Sequence, residues 1–347
     1  MDKIKVGFVG LGLMGLPMAE NILKKKYPLI VWNRSTKNYK KIQKLGAKIC
    51  RNLIDLPDQC HIIIMMLAND AASIKVSDAL NKNLKKSQIL IDMSSTKKKT
   101  AVTIAKKVKA SKAHFLDAPV SGGTSGAKNS KLAIMVGGEK KIFNKTKNLF
   151  GTMGKATYVG KTGSGQVAKL ANQAIVGITI GAVSEALILS KAAGADPKAV
   201  REAIKTGFAG SPILENHGKR ILENNFKPGG RCSTQLKDMK NIIETAKAYN
   251  IHLPLSEKIK KLLLLELVVL RFERVRVAEV LIKRKKTHKN VFSDFFLPPC
   301  LRERQGKQIG LIERPIHHIY QFKHGNAKSR RWFSFQSIKE SANFPLF

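Results

Sequence analysis

The chain has 347 residues, 43% hydrophobic content and four cysteines, which is enough for two domains and a substantial core. The cysteines form no CxxC pair and no metal-ligand spacing, which excludes a disulfide scaffold and a zinc module and favours a reducing cytoplasm. The formal net charge of +39 would attract nucleic acid only non-specifically, and lysine-rich solvated faces are our preferred interpretation of it.

The first predicted strand, residues 3–9, runs directly into a GxGxxG motif and then into a helix. In that position the motif predicts a dinucleotide site, because its glycines permit a tight turn and close approach of a pyrophosphate at the helix N-terminus. The predicted cofactor contacts in this turn are Gly10, Leu11, Gly12, Leu13, Met14 and Gly15.

The second predicted strand, residues 29–32, ends at Asn33, Arg34 and Ser35. An NAD-selective site usually carries an acid here to accept hydrogen bonds from the ribose 2′-hydroxyl. This chain instead has a cation, which can fork onto a 2′-phosphate, followed by hydroxyl side chains. The sequence therefore predicts NADP(H) in preference to NAD(H), with these three residues as cofactor contacts.

Two further predicted strands, residues 61–67 and 89–92, lie in apolar runs. The carboxyl ends of strands in a doubly wound sheet face the ligand crevice. Four residues at these ends are therefore further candidate cofactor contacts: Met66, Leu67, Asn69 and Ser95.

Another predicted strand, residues 114–117, precedes Ser121, Gly122 and Gly123. A serine before two glycines offers a hydroxyl group and unobstructed backbone N–H groups, which suit a carboxylate. Taken on its own, this segment is better explained as a flexible glycine turn.

From Gly163 to Gly194 the chain has no proline and is strongly apolar, which predicts one long helix. Lys169 lies in its first two turns, where burial would lower the proton affinity of the amine and suit it to exchange protons with a substrate. Asn172 and Gln173 share its helical face. A lysine that extends from a core helix to solvent is the alternative. Polar residues interrupt the apolar run, so we expect no membrane span.

These patterns predict an α/β fold in which a Rossmann-type doubly wound parallel sheet is followed by an all-α domain, with a long interdomain helix. The expected divisions are an NAD(P)-binding domain at residues 1–160, a helical substrate and dimerisation domain at 161–265, and an atypical basic tail at 266–347.

Through residue 265 the chain resembles the β-hydroxyacid dehydrogenase family (3-hydroxyisobutyrate dehydrogenase-like). The resemblance is carried by four segments in the family order: residues 7–19, 117–123, 163–172 and 237–238. It implies that Lys169 is catalytic, that Ser121, Gly122 and Gly123 hold the substrate carboxylate, and that Lys237 lies near the nicotinamide. Asn172, which orients the substrate, and Gln173 are the other expected substrate-binding residues. Gln173 is a departure, because many members carry a second asparagine there.

The resemblance further implies reversible reduction of a small semialdehyde or 2-oxo acid to its hydroxy acid, with no metal. The expected substrates are tartronate semialdehyde, glyoxylate, succinic semialdehyde and methylmalonate semialdehyde, and we expect a homodimer or homotetramer. The alternatives are a non-catalytic nucleic-acid-binding relative, for which the catalytic lysine would be lost, and an inactive remnant.

The residue usage changes abruptly near residue 266. Lysine outnumbers arginine by 41 to 5 up to residue 265, whereas 8 Lys and 9 Arg follow it. Our hypothesis is a change of reading frame near residue 265, because many residue types shift together. An authentic basic, aromatic extension that binds single-stranded nucleic acid is the rival interpretation. Resequencing the coding region would decide between them.

Overall fold

Short segments rich in Ile, Val and Leu form the strands of one sheet in the computed structural model, which describes residues 4–225 and 232–273. Within these ranges the strands are β1 (Val6–Val9), β2 (Leu29–Trp32), β3 (Lys48–Ile49), β4 (Ile62–Met65), β5 (Ile89–Asp92), β6 (His114–Asp117), β7 (Val120–Ser121), β8 (Leu132–Gly138) and β9 (Gly154–Gly160).

The first six strands lie parallel in the order β3-β2-β1-β4-β5-β6. Helices connect them: α1 (Gly15–Lys24), α2 (Tyr39–Lys44), α3 (Leu56–Gln59), α4 (Asp70–Asn81) and α5 (Lys98–Ala110). The order reverses direction beside β1, as in a dinucleotide-binding sheet. The predicted Rossmann-type doubly wound fold is confirmed.

The last strands depart from a purely parallel arrangement. β8 is antiparallel to β6 and to β7 and parallel to β9. Only the six-residue helix α6 (Gly123–Lys128) separates β7 from β8, and a connection this short does not provide a parallel crossover. The helix α7 (Lys140–Phe150) links β8 to β9 and allows that pair to run parallel.

The central strands β1, β2, β4, β5 and β6 are almost wholly buried on both faces, which explains why they are nearly continuously apolar. Alternate side chains of β1 serve different faces: Val6 and Phe8 pack in one core cluster, and Val9 packs in another with Ile63 and Met65. The glycine turn and the carboxyl ends of the strands are thus held on a rigid support.

The second half of the described chain is helical. The elements are α8 (Ser164–Ala192), α9 (Pro197–Ile204), α10 (Lys219–Leu222), α11 (Cys232–Ala248) and α12 (Pro254–Glu273). The 29 residues of α8 extend about 44 Å at 1.5 Å per residue, which agrees with the predicted long helix. It packs against β8, α11 and α12.

By length and composition alone, α8 is also a helix that could cross a membrane. Four residues in the first two turns of α8 are buried, Gly165, Gln166, Lys169 and Leu170, whereas only 17% of its most apolar 18-residue stretch is buried. The part of the predicted tail beyond residue 273 lies outside the described residues.

Candidate active site

The glycine turn between β1 and α1 has the geometry that a dinucleotide site requires. Gly10 has a φ of +103°, and a Cβ atom there would lie 2.3 Å from the Met66 carbonyl oxygen. A Cβ at Gly15 would lie 1.8 Å from the Gly10 carbonyl oxygen. A Cβ at Gly12 would meet nothing within 4 Å. Gly10 and Gly15 are therefore required because the backbone packs too closely there for a side chain. Gly12 instead leaves open space that suits a pyrophosphate.

Asn33 holds the glycine turn in place. Its Oδ1 accepts a hydrogen bond from the Leu11 backbone N–H at 2.9 Å, and its Nδ2 donates to the Ser35 carbonyl oxygen at 2.7 Å. Arg34 is exposed beside it and makes no hydrogen bond or ion pair with the residues that the structure describes. Its guanidinium is therefore free to bind an anion at the end of β2.

The candidate residues at the ends of β4 and β5 form a connected edge. The Leu67 backbone N–H donates to Ser94 Oγ at 2.8 Å, which joins the two strand ends. Asn69 Oδ1 accepts from the Ala72 N–H at 2.9 Å and caps α4. Met66 lies against Gly10. The edge thus continues from the glycine turn to the segment that carries Ser95.

Two buried side chains fix the start of α8 against this edge. Asp117, at the end of β6, accepts hydrogen bonds from the backbone N–H groups of Gly163 at 2.7 Å and Gln166 at 2.9 Å. Gln166 accepts from the Thr96 N–H at 2.9 Å and donates to the Ser94 carbonyl oxygen at 2.9 Å. Burial raises the pKa of Asp117 to about 6, and the backbone donors act against that rise.

Lys169 lies one turn beyond Gln166 and is only 8% exposed. Its Nζ donates to Gln173 Oε1 at 2.9 Å, and Asn172 Nδ2 donates to the same oxygen at 2.9 Å. Burial lowers the pKa of Lys169 to about 8; Asp238 acts in the opposite direction, and Lys237 reinforces the fall. An amine with this pKa is populated in both protonation states near neutral pH, as general acid–base chemistry requires.

The helix α11 brings Lys237 and Asp238 to the same place. Asp238, 2% exposed, accepts from Gln173 Nε2 at 2.7 Å and from Ser95 Oγ at 3.3 Å. Lys237 Nζ donates to the Ser95 carbonyl oxygen at 2.8 Å and lies 3.1 Å from Asp238 Oδ1. A continuous series of contacts therefore runs from the strand edge beside the glycine turn, through Ser95 and Asp238, to the amine of Lys169.

Ser121, Gly122 and Gly123 lie at the end of β7, which packs against α8. The glycines have φ angles of +130° and +61°, and a Cβ at Gly123 would meet nothing within 4 Å. Among the described residues no hydrogen bond joins this segment to Lys169 or Asn172. Ser121 pairs with Ala133 of β8, and the Gly122 carbonyl oxygen accepts from the Gly126 N–H at 2.9 Å, so the open space lies beside Gly123.

The sequence did not identify the roles of Gln166, Gln235 and Asp238. The only signal was spacing: Gln235 and Asp238 are three residues apart on one helix, so they face the same way. A lysine followed by an aspartate resembles a surface pair until α11 is placed against α8. Within the described ranges, no group of three or more His, Cys, Asp and Glu side chains could hold a metal ion.

Comparison with known proteins identifies both halves of the described chain. Residues 5–162 match the family described as the NAD binding domain of 6-phosphogluconate dehydrogenase. Residues 163–267 match the family described as NAD-binding of NADP-dependent 3-hydroxyisobutyrate dehydrogenase.

Curated relatives agree. The chain is 38% identical over 255 residues to 2-hydroxy-3-oxopropionate reductase of Escherichia coli, covering 72% of this chain and 87% of that one. It is 34% identical over 249 residues to mitochondrial 3-hydroxyisobutyrate dehydrogenase of Rattus norvegicus, covering 69% and 74%. A solved structure of Mycobacterium tuberculosis 3-hydroxyisobutyrate dehydrogenase has the same fold, with a TM-score of 0.72, 21% identity, and coverage of 80% and 98%.

Proposed function

The chain belongs to the β-hydroxyacid dehydrogenase family of NAD(P)-dependent oxidoreductases, and from this we propose that it uses NADP(H) to interconvert a small semialdehyde or 2-oxo acid and its hydroxy acid. The observation that carries the proposal is the buried Lys169 amine, which is joined by side chains to the strand edge beside the glycine turn. The relatives are named for reactions of this class.

Lys169 is the proposed proton donor and acceptor. The nicotinamide supplies or accepts the hydride when it is bound. In the direction of reduction the ammonium gives a proton to the oxygen of the substrate carbonyl, and in oxidation the neutral amine takes the proton back. Within the described residues its Nζ donates only to Gln173, which leaves other hydrogen-bonding directions of Nζ for the substrate.

The substrate is proposed to bind through its carboxylate. The hydroxyl of Ser121, the two glycines that follow it and the open space beside Gly123 suit an anion. Asn172 donates through Nδ2 to Gln173, and in the described part of the chain its amide oxygen accepts no hydrogen bond, so that oxygen is available to orient the substrate. Lys237 is proposed to lie near the nicotinamide, since it binds the backbone of Ser95 at the strand edge.

The NADP(H) preference rests on the end of β2. Asn33 is used to hold the glycine turn, and the exposed Arg34 and Ser35 remain available for a 2′-phosphate. The name of the second matching family, which includes NADP, supports the same choice.

We further propose that residues 1–160 bind the cofactor, that residues 161–265 bind substrate, and that the protein is a homodimer or homotetramer. Ile175 and Leu189 on α8 are 67% and 69% exposed. Only 17% of the most apolar 18-residue stretch of α8 is buried, and a long apolar surface of this kind supports a protein partner.

The test is NADPH oxidation by the purified protein with glyoxylate, tartronate semialdehyde, succinic semialdehyde and methylmalonate semialdehyde. We expect turnover with at least one of them, and a lower rate with NADH at equal concentration. Bound NADPH without turnover of any of the four would support the inactive remnant instead. Retention on heparin together with failure to bind NADPH would support the nucleic-acid-binding alternative, which the retained Lys169 disfavours.

A further inference from the structure

The side-chain amide of Gln173 has no hydrogen-bonding capacity left for a ligand. An amide oxygen accepts two hydrogen bonds and an amide nitrogen donates two. Oε1 accepts from Lys169 Nζ and Asn172 Nδ2, both at 2.9 Å. Nε2 donates to Asp238 Oδ2 at 2.7 Å and to Gln235 Oε1 at 3.3 Å. All four positions are therefore filled by protein groups, which leaves no free hydrogen-bonding position on this amide for the substrate contact expected of Gln173 from the sequence.

Asp238 decides which way this amide points. A carboxylate only accepts hydrogen bonds, so it must face Nε2. The opposite end of the amide, Oε1, is then presented to Lys169. A reversed amide would place two N–H groups against the amine and oppose the carboxylate with an oxygen.

The same arrangement separates the carboxylate from the amine. Among the described residues the charged groups that act on Lys169 are Asp238, which favours the ammonium, and Lys237, which disfavours it; both lie on α11. Lys237 also contacts Asp238 Oδ1 at 3.1 Å. Lys169 bonds directly to a neutral oxygen, and the carboxylate lies on the far side of the glutamine amide.

We propose that Gln173 is a positioning residue, a neutral spacer oriented by Asp238 that fixes the Lys169 amine while keeping the carboxylate one side chain away from it. This inference rests on the proposed proton-transfer role of Lys169. One N–H of the amine is committed to Gln173, so the remaining hydrogens, or the lone pair of the neutral amine, are directed to the substrate oxygen. A carboxylate in direct contact would hold the proton on the amine.

The pH dependence of the unaltered enzyme provides the reference. The reductive reaction needs the ammonium, so its rate is expected to fall as the pH rises through about 8, the pKa of Lys169. The oxidative reaction needs the neutral amine, so its rate is expected to rise across the same range.

The test exchanges the amide and the carboxylate in the double variant Gln173→Glu with Asp238→Asn. Net charge is unchanged, and the contact between the two positions is kept with donor and acceptor exchanged. The negative charge, however, now touches the amine. For reduction and for oxidation alike, we expect the midpoint of the pH–rate profile to move upward by about 1–3 pH units, which is the effect of an adjacent opposite charge. The proposal is overturned if the double variant is active and its pH–rate profile has the same midpoint as that of the unaltered enzyme.

The matched control is Asn148→Asp with Asp78→Asn, which makes the same exchange at positions outside the site, on α7 and α4. This control variant should keep the pH–rate profile of the unaltered enzyme. Gln173→Met, which has similar length but no acceptor, covers the case in which the double variant does not fold. We expect a lower kcat with little change in KM for NADPH, and an unaltered kcat and pH profile in that variant overturn the proposal. If the unaltered enzyme turns over none of the four aldehydes, the proposed function fails rather than this inference.

Discussion

Arg34 is exposed at the end of β2, and its neighbour Asn33 is committed to the Leu11 N–H of the glycine turn. In the proposed NADP(H) site, Asn33 holds the turn that binds the common part of the dinucleotide, and Arg34 selects its 2′ substituent. An arginine that forks onto a phosphate contributes most when that phosphate is present.

Arg34→Ala is therefore expected to weaken NADP(H) and to leave NAD(H) almost unaffected. A charge-assisted hydrogen bond contributes about 1.5–3 kcal/mol, which corresponds to roughly a 10- to 100-fold rise in KM for NADPH. The measurement is KM for both cofactors in the variant, with Arg51→Ala as the control at another exposed arginine. An equal loss for NADH and NADPH would contradict the assignment.

At the scale of single residues, the sequence alone predicted Lys169 as a candidate catalytic residue, because this lysine lies in an apolar helix that follows a dinucleotide-binding motif. It also predicted the glycine turn, because spacing and position are properties of the chain. It did not predict that Gln173 bridges Lys169 and Asp238. That contact joins residues 65 positions apart, and only the packing of α11 on α8 brings them together.

At the scale of the secondary-structure element, the way the start of α8 is held against the sheet determines where Lys169 lies. The helix begins where the buried carboxylate of Asp117 receives the N–H groups of Gly163 and Gln166. A negative charge at a helix N-terminus satisfies free donors and interacts favourably with the helix dipole. The helix carries Lys169 in its second turn, so an error at its start would displace the amine.

Asp117→Ala is expected to lower the free energy of unfolding by about 2–4 kcal/mol, because it leaves two buried N–H groups without an acceptor. The measurement is urea unfolding followed by circular dichroism. Asp196→Ala is the matched control, since Asp196 caps α9 from an exposed position and should cost only about 0.5–2 kcal/mol. An Asp117→Ala cost no larger than that of the control would contradict this role.

The strands and the long helix could be predicted because apolar runs, glycine turns and an uninterrupted helical segment are local signals. The antiparallel pairing of β8 with β6 could not be predicted from the sequence, because it depends on which strand edge the chain returns to. The hydrogen bonds by which Gln166 holds α8 to the segment after β5 could not be predicted either. A buried glutamine in the first helical turn has no local signature that distinguishes it from a surface residue.

At the scale of the whole molecule, the recognisable family ends near the point where the composition changes. The second family match stops at residue 267, and the change in lysine and arginine usage begins at residue 266. The hypothesis of an altered reading frame stays a prediction. Its consequence is that the substrate-binding half would lack its last family helices, which makes activity measurements on the full chain the appropriate test.

The central claim is that Lys169 exchanges the proton of the reaction, and steady-state kinetics of Lys169→Ala test it most directly. We expect kcat to fall by about 10²–10⁴-fold, equivalent to about 3–5 kcal/mol of transition-state stabilisation. NADPH affinity, measured by fluorescence titration, should be unchanged, and Lys141→Ala, at an exposed lysine on α7, should retain full activity. Turnover close to that of the unaltered enzyme in Lys169→Ala would contradict the account.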